Sequence, residues 1–393
     1  MKFKPTNIKG SYDTSPEQQV MRNRVIDILK RNFESYGYLP IETAQLNYLE
    51  LLTYKYESDA EIVREIYKIR DQGERDLGLR FDLTVPFCKY IAMNQNMKLP
   101  FKRYEIGKVF RNGPTKAGRT REFYQCDVDA VGISGAHIEA EMISMAIKVF
   151  LELGIKPVVK YGNRKLLMQK IIDAGVQEKN MSSVLGVIDR FDKISREEMQ
   201  YELQKYMSKG VMEELYVNLS SNQTVDELFN IEDALEDLGV RGFCQFTPSL
   251  ARGLNIYTGT VWEIYDEAGG ITSAIGGGGR YDDIVGNFID NGLKYPAVGM
   301  SFGLEPIMAI LGAKKDWGNN ANPLVMLVPL GTESWCQKYA DTLRKDGKNV
   351  LVYLGGKSMA KAFEYAAANG IKQAAVIGED EVKGKKVTFK EIK

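Results

Sequence analysis

Apolar side chains recur at steps of three and four residues between positions 16 and 36, the spacing of an amphipathic helix. Ser15, Pro16 and Gln18 form a helix-start signal, with a capping serine, a proline at the first helical position and a glutamine that can reach back to the cap. Gly37 is a natural stop. The predicted core side is Met21, Val25, Ile28, Leu29, Phe33 and Tyr36.

The apolar period changes to two between positions 101 and 132, which indicates an antiparallel hairpin with a long loop. Tyr104, Ile106 and Phe110 share one side of its first strand. The segment before it, 38–43, predicts a short strand, and Pro40 suits an edge or an interface there.

Helical spacing returns at 135–154, and the charged stretch at about 165–235 predicts a helical insertion. We expect strands at 258–265 and 271–275, then a run of four glycines, then a helix at 302–311.

Segment 317–323 has the composition of a linker. Beyond it, strand-like and helix-like runs alternate, which predicts a small α/β domain. The expected division is therefore 1–320 and 322–393. The second part carries 12 Lys and Arg against 8 Asp and Glu, a modest preference for an anionic partner.

Composition narrows the classes of function. The 393 residues carry 52 basic and 52 acidic side chains, so the chain is no polybasic binder. Its four cysteines are scattered and its one histidine, His137, stands alone, which argues against disulfides, zinc sites and Ser-His-Asp triads; we expect no metal site. The polar N-terminus and the absence of a long apolar run predict a cytoplasmic protein without membrane span or signal peptide.

The strand at 122–130 divides into two chemically different faces. Tyr124, Cys126, Val128 and Ala130 form a core-like face, whereas Phe123, Gln125, Asp127 and Asp129 share the other. Buried carboxylates need a hydrogen-bonding cation, so this face indicates either a ligand site or a solvated surface.

Several basic side chains stand close to that strand in the sequence. They indicate either a site for a ligand with phosphate and amino groups or a solvated loop. Neither glycine-rich nucleotide loop is present, so any ATP must lie on an arginine-bearing antiparallel sheet. The cations and glycines of the segment are Arg111, Gly113, Lys116, Gly118, Arg119 and Arg121.

Together these segments resemble the histidyl-tRNA synthetases, which are class II aminoacyl-tRNA synthetases, over nearly the whole chain. The matching segments are LRFDLTVP from Leu79, FRNGPTKAGRTREFYQCDVDAVG from Phe110, LARGLNIYTGT from Leu250 and GGGRYDDIVG from Gly277. The resemblance implies an α+β fold, in which an antiparallel sheet of six or seven strands is flanked by helices. It also implies a helical insertion, a shortened anticodon-binding-like α/β domain and a homodimer formed through the Pro40 region.

The resemblance also implies the chemistry: histidine and ATP, with Mg²⁺ accompanying ATP, give a histidyl-adenylate, and the acyl group passes to tRNA(His). Arg111 and Arg252 would act at the α-phosphate, Arg119 would bind ATP and Phe123 would pack on adenine. The implied histidine-binding residues are Asp82, Thr84, Gln125, Asp129, Tyr257 and Tyr281.

Several positions depart from the family pattern. Pro306 replaces a usual arginine, Gly113 a usual acidic residue, and Asn255 and Ile256 a usual Asp and Tyr. Two alternatives stay open: a catalytically silent, histidine-sensing regulatory subunit of ATP phosphoribosyltransferase, and a paralogue that aminoacylates something other than tRNA.

Overall fold

The computed structural model describes residues 4–54, 61–115, 120–190, 194–220, 226–251, 256–314, 317, 324–356, 358–384 and 386–392. The chain divides into two compact units, Met1–Ala313 and Lys314–Lys393.

The first unit contains twelve α-helices and eleven strands among its described residues. The helices are α1 Pro16–Ser35, α2 Leu49–Thr53, α3 Glu61–Arg64, α4 Thr84–Met93, α5 Ala136–Glu152, α6 Arg164–Asp173, α7 Met181–Ile188, α8 Arg196–Leu203, α9 Lys209–Ser220, α10 Asp226–Asp237, α11 Asp282–Ile289 and α12 Leu304–Gly312. The strands are β1 Leu39–Pro40, β2 Leu46–Tyr48, β3 Lys68–Arg70, β4 Asp76–Leu79, β5 Phe101–Phe110, β6 Glu122–Val131, β7 Pro157–Asn163, β8 Cys244–Phe246, β9 Thr260–Asp266, β10 Gly276–Arg280 and β11 Ala297–Gly303.

Helix α1 begins as predicted. The Ser15 hydroxyl accepts from the Gln18 amide, and the Gln18 side chain accepts from the Ser15 amide, so both halves of the capping box form. Val25, Leu29 and Phe33 are the fully buried positions.

An eight-stranded sheet in the order β1-β5-β6-β11-β10-β9-β7-β8 forms the centre of this unit. Its inner pairs are antiparallel, and the two outermost pairs, β1 with β5 and β7 with β8, are parallel. The predicted hairpin is confirmed as β5 and β6. Pro40 lies on the edge strand β1, as expected. A small antiparallel sheet, β2-β4-β3, lies in the same unit.

Two predictions about 271–311 are wrong. The strand is the glycine run itself, β10, and segment 271–275 lies outside any strand. Glycine is a poor strand former, but a Cβ at Gly278 would lie 2.2 Å from the Gly299 carbonyl oxygen, so this packing admits no side chain there. Phe302 lies within β11 instead of beginning a helix, and α12 starts at Leu304.

The predicted helical insertion corresponds to α6, α7, α8 and α9, which share one apolar core that includes Leu167, Val184, Met199 and Leu215. Helix α10 packs against α5.

The second unit confirms the predicted α/β alternation. Its sheet has the order β13-β12-β14-β15, with the first three strands parallel and β15 antiparallel. Its elements are β12 Leu324–Pro329, α13 Glu333–Lys345, β13 Asn349–Val352, α14 Met359–Ala368, β14 Gln373–Ile377, α15 Glu379–Gly384 and β15 Lys390–Glu391.

Candidate active site

The polar face of β6 forms one wall of a pocket of about 380 Å³. Cys126, Val128 and Ala130 are fully buried on the opposite face, as the alternation predicted. Asp127 and Asp129 are only 4% and 3% exposed, so the alternative of a solvated sheet face is wrong.

The predicted histidine-binding residues converge on this pocket. Among the described residues, its lining includes Asp82, Thr84, Arg111, Gln125, Asp129, Tyr257 and Tyr281. They come from the segment that leads into α4 and its first residue, the residue after β5, strand β6, the segment before β9 and the residue after β10.

Asp129 lies in a buried network. Arg103, on the neighbouring strand β5, brings Nη2 within 2.6 Å of Asp129 Oδ2, and the Tyr281 hydroxyl donates to Asp129 Oδ1. Asp129 Oδ2 has no hydrogen-bond partner among the described residues, so it keeps the capacity to accept. Burial raises the pKa of Asp129, and Arg103 and Tyr281 oppose that shift.

Arg103 is itself held from several sides. It is fully buried, its Nη1 lies 3.5 Å from Glu105 Oε2, and its guanidinium stands 4.3 Å from the centre of the Phe87 ring. Glu105 in turn pairs at 2.6 Å with Arg80, which is also buried. Charges of opposite sign therefore alternate along this network, from Arg80 through Glu105 and Arg103 to Asp129.

Asp82 lies at the start of α4. Its Oδ1 accepts from the Val85 amide at 3.0 Å, which satisfies one of the free donors of the helix end. Burial raises the pKa of Asp82 to about 6. Thr84 is the first residue of α4 and also lines the pocket.

Arg111 follows β5 at the outer end of the pocket. Its Nε donates to the Phe81 carbonyl at 3.0 Å, and its guanidinium carbon stands 5.1 Å from the centre of the Phe123 ring. Phe123 is thus beside Arg111 but outside the pocket lining. Arg119 and Arg252 lie outside the described residues, as does Asn255.

The Asp129 carboxylate fits beside strand β11 because Gly299 has no side chain. A Cβ at Gly299 would lie 2.0 Å from Asp129 Oδ1, so any side chain there would displace this group. Gly299 is the register partner of Asp129 across β6 and β11.

The local structure accommodates two of the residues that depart from the family pattern. Pro306 lies in the first turn of α12, where backbone amides have no intrahelical acceptor and proline is tolerated. A Cβ at Gly113 would lie 2.0 Å from Glu65 Oε1, so the carboxylate of Glu65 occupies the space of a side chain at position 113.

Sequence reasoning missed part of the lining. The acids outside the predicted set are Asp127, Asp189 and Glu263, and the other missed residues are Ile256, Gly277, Gly299, Met300 and Ser301. The two-residue alternation does place Asp127 on the candidate ligand face with Asp129, but the family resemblance assigns no role to it. Acids outnumber bases in the described lining, so the pocket suits a cationic ligand.

Comparison with known proteins decides the family. The profile described as "Histidyl-tRNA synthetase" matches residues 10–307, and that described as "Anticodon binding domain" matches residues 324–393. The chain belongs to the histidyl-tRNA synthetase family. The resemblance seen in the sequence is confirmed.

Individual members of the family agree. Histidine--tRNA ligase 1 of Bacillus cereus (strain ATCC 10987 / NRS 248) is 40% identical over 410 residues, covering 98% of this chain and 93% of that protein. The crystal structure of histidyl-tRNA synthetase from Nostoc sp. PCC 7120 has a TM-score of 0.84 at 28% identity, covering 99% of this chain and 95% of that one.

A third similarity concerns the fold alone. A Bacillus halodurans C structure described as an ATP phosphoribosyltransferase regulatory subunit/histidyl-tRNA synthetase has a TM-score of 0.74 at 20% identity and covers 94% of this chain and 97% of that one. The α+β class II fold expected for this synthetase family is confirmed, with eight strands in the main sheet rather than six or seven.

The described residues contain neither a cluster of metal-ligand type nor a membrane-spanning helix. No group of three or more His, Cys, Asp or Glu side chains is arranged to hold a metal ion. No helix there is long and apolar enough to cross a membrane.

Proposed function

We propose that this chain is a histidine–tRNA ligase, which activates histidine with ATP and transfers it to tRNA(His). The observation that carries the proposal is the convergence, in a member of this family, of Asp82, Gln125, Asp129 and Tyr281 on one pocket that Arg111 also lines.

The pocket chemistry supports histidine as substrate. The α-ammonium and the imidazole N–H groups of histidine are donors, and Asp82, Gln125 and Asp129 supply acceptors. Thr84, Tyr257 and Tyr281 complete the proposed set. Gln125 Oε1 is buried and has no hydrogen-bond partner among the described residues, which a bound donor would correct.

ATP would lie at the Arg111 end, because the phosphates need cations and the inner end of the pocket is acidic. We assign Arg111 and Arg252 to the α-phosphate, Arg119 to ATP and Phe123 to adenine, and we expect Mg²⁺ to enter with ATP. The histidine carboxylate attacks the α-phosphorus and pyrophosphate leaves. Positioning and arginine electrostatics are sufficient for this chemistry, so no histidine general base is needed.

The partners follow from the same assignment. The match of 324–393 to an anticodon-binding domain supports tRNA as the acceptor. Leu39, Leu46 and Tyr48 are large apolar side chains exposed on β1 and β2, and they support a homodimer formed through the Pro40 region. We expect the protein to act in the cytoplasm, without a membrane partner.

The alternative of a catalytically silent regulatory subunit is less well supported. The relative that bears the regulatory description is 20% identical, whereas the Bacillus cereus ligase is 40% identical along nearly the whole chain.

Two variants test the assignment of roles. Asp129→Ala removes an acceptor for the imidazole, so we expect the affinity for histidine to fall at least ~30-fold, the equivalent of about 2 kcal/mol, while ATP affinity stays near that of the wild type. Arg252→Ala should lower the rate of adenylate formation while histidine still binds. Equal losses of histidine and ATP affinity in Asp129→Ala, or a normal rate in Arg252→Ala, would contradict the assignment.

A further inference from the structure

Asp127 is a buried carboxyl group to which the proposed function assigns no role. It is 4% exposed and lines the pocket, and its Oδ1 has no hydrogen-bond partner among the described residues. The Ser301 hydroxyl hydrogen-bonds to the same carboxyl group. An unpaired acceptor buried in this way costs about 1–3 kcal/mol, which a donor on a bound ligand would recover.

The positions along β6 indicate which part of the ligand reaches Asp127. Asp129 lies opposite Arg103, while Gln125 lies opposite Gly107, nearer the end that leads to Arg111. A substrate whose carboxylate faces Arg111 therefore points its side chain past Gln125 toward Asp127 and Asp129.

Asp127 and Asp129 are two residues apart on one face of β6, so their Cα atoms are separated by about 6.6 Å. An imidazole that donates to both carboxyl groups, at about 2.9 Å from each acceptor, needs a wider gap than this, because the ring adds its own width to the two hydrogen bonds. The ring therefore fits where the two carboxyl groups diverge from each other into the pocket.

Two nearby hydroxyls are already engaged. Tyr281 donates to Asp129, and Ser301 hydrogen-bonds to Asp127. A ring between the two carboxyl groups thus meets an acceptor on each side and needs a hydrogen on each nitrogen. One of those hydrogens is the proton that a neutral imidazole lacks.

We propose that Asp127 is a second contact for the substrate ring, so that the imidazole is held between Asp129 and Asp127 and shares one proton with Asp127. The inference rests on the proposed function, since it takes histidine as the substrate. The proton moves between Asp127 and the ring nitrogen without any other reactant.

The charges around Asp127 support a proton at this position. Burial, together with Asp129 and Asp82, raises the pKa of Asp127 to about 8, although Arg103 and Ser301 act in the opposite direction. This direction favours a proton on the carboxyl group in the free pocket. The charged and titratable groups that line this region or act on Asp127 are Asp82, Arg103, Arg111, Asp129, Asp189, Tyr257, Glu263 and Tyr281.

Ring-methylated histidines test the contact directly. In the wild type both N-methyl isomers should be excluded, because each methyl replaces a required hydrogen and meets a buried carboxyl group. Asp127→Ala should remove the barrier to one isomer only, so that its affinity relative to histidine rises at least tenfold. Equilibrium dialysis on the full chain measures this. Asp346→Ala, an exposed acid in the other unit, is the control and should leave both ratios unchanged.

A second variant tests the shared proton. Wild-type affinity for histidine should be flat between about pH 6.5, where free imidazole titrates, and about pH 8, where Asp127 titrates, and should fall on both sides. In Asp127→Asn the amide donates to neutral imidazole at any pH, so the decline that begins near pH 8 should disappear while the acid decline remains.

The outcomes separate this inference from the proposed function. If the wild type does not bind histidine, the proposed function fails. If the wild type binds histidine but Asp127→Ala still excludes both isomers, or Asp127→Asn keeps the wild-type pH profile, the function stands and the contact between Asp127 and the ring is refuted. Histidine binding without a contact to Asp127 is expected if a ring nitrogen accepts a hydrogen bond from the Tyr257 hydroxyl instead.

Discussion

Replacing Arg103 with methionine tests the buried network below the pocket. Arg103 is fully buried and lies against both Asp129 and Glu105, at 2.6 and 3.5 Å. Methionine retains much of the apolar length of the side chain and can still contact Phe87, but it removes the charge. Two buried carboxylates would then lose a common counter-charge.

The expected loss is large. Removing one partner of a buried ion pair lowers the free energy of unfolding by about 3–5 kcal/mol. The total for a domain is only about 5–15 kcal/mol. The control is Arg31→Met, because Arg31 pairs with Glu152 at the surface and such pairs contribute about 0–1 kcal/mol.

The loss should also depend on pH. Without Arg103, the pKa of Asp129 rises further above the value of the unfolded chain, which is about 3.9. A carboxyl whose pKa is raised in the folded state destabilises that state as the pH rises above the unfolded value. The difference from wild type should therefore be smaller at pH 5 than at pH 8.

Urea unfolding at both pH values measures this difference, with Trp262 of β9 as the reporter after Trp317 and Trp335 are replaced by phenylalanine. A loss no greater than that of Arg31→Met, or a difference that grows toward acid pH, would refute the account of the network.

Three further variants test individual contacts. Tyr281→Phe removes a hydrogen bond to a charged group, worth about 1.5–3 kcal/mol, so histidine affinity in a binding titration should fall about 10- to 100-fold with ATP affinity unchanged; equal losses would contradict this. Gly299→Ala should abolish histidine binding in the same titration because its Cβ would lie 2.0 Å from Asp129 Oδ1, and normal affinity would show that the strands tolerate the methyl group. Gly113→Ala should lower the urea midpoint of unfolding, because the added methyl group would meet the Glu65 carboxylate. In the double variant with Glu65→Ala, part of the lost stability should return. If the two substitutions lower the stability additively, the predicted contact is contradicted.

Local patterns predicted the elements whose stability depends on near neighbours in the chain. The capping box of α1 and the two faces of β6 are of this kind, and both match the structure. Strand β10 could not be predicted in this way. Its glycines have weak strand preference, and close approaches from neighbouring strands explain two of them: a Cβ at Gly278 would meet the Gly299 carbonyl oxygen, and a Cβ at Gly279 would meet the Thr260 carbonyl oxygen.

The pocket shows the same division. Motif resemblance indicated Asp82 and Asp129, whose types and spacing are specific. Arg103 and Glu105 were missed because charges on a strand usually indicate a solvated face. Their role follows from the pairing of Arg103 with Asp129 across β5 and β6, a contact that no spacing within one strand reveals.

The most direct test of the proposed function is histidine-dependent exchange of labelled pyrophosphate into ATP, followed in the same tube by charging of tRNA. We predict exchange with histidine, none with other amino acids, and charging of tRNA(His). Histidine binding without exchange would contradict the proposed ligase and favour a regulatory subunit, and exchange without charging would contradict tRNA as the acceptor.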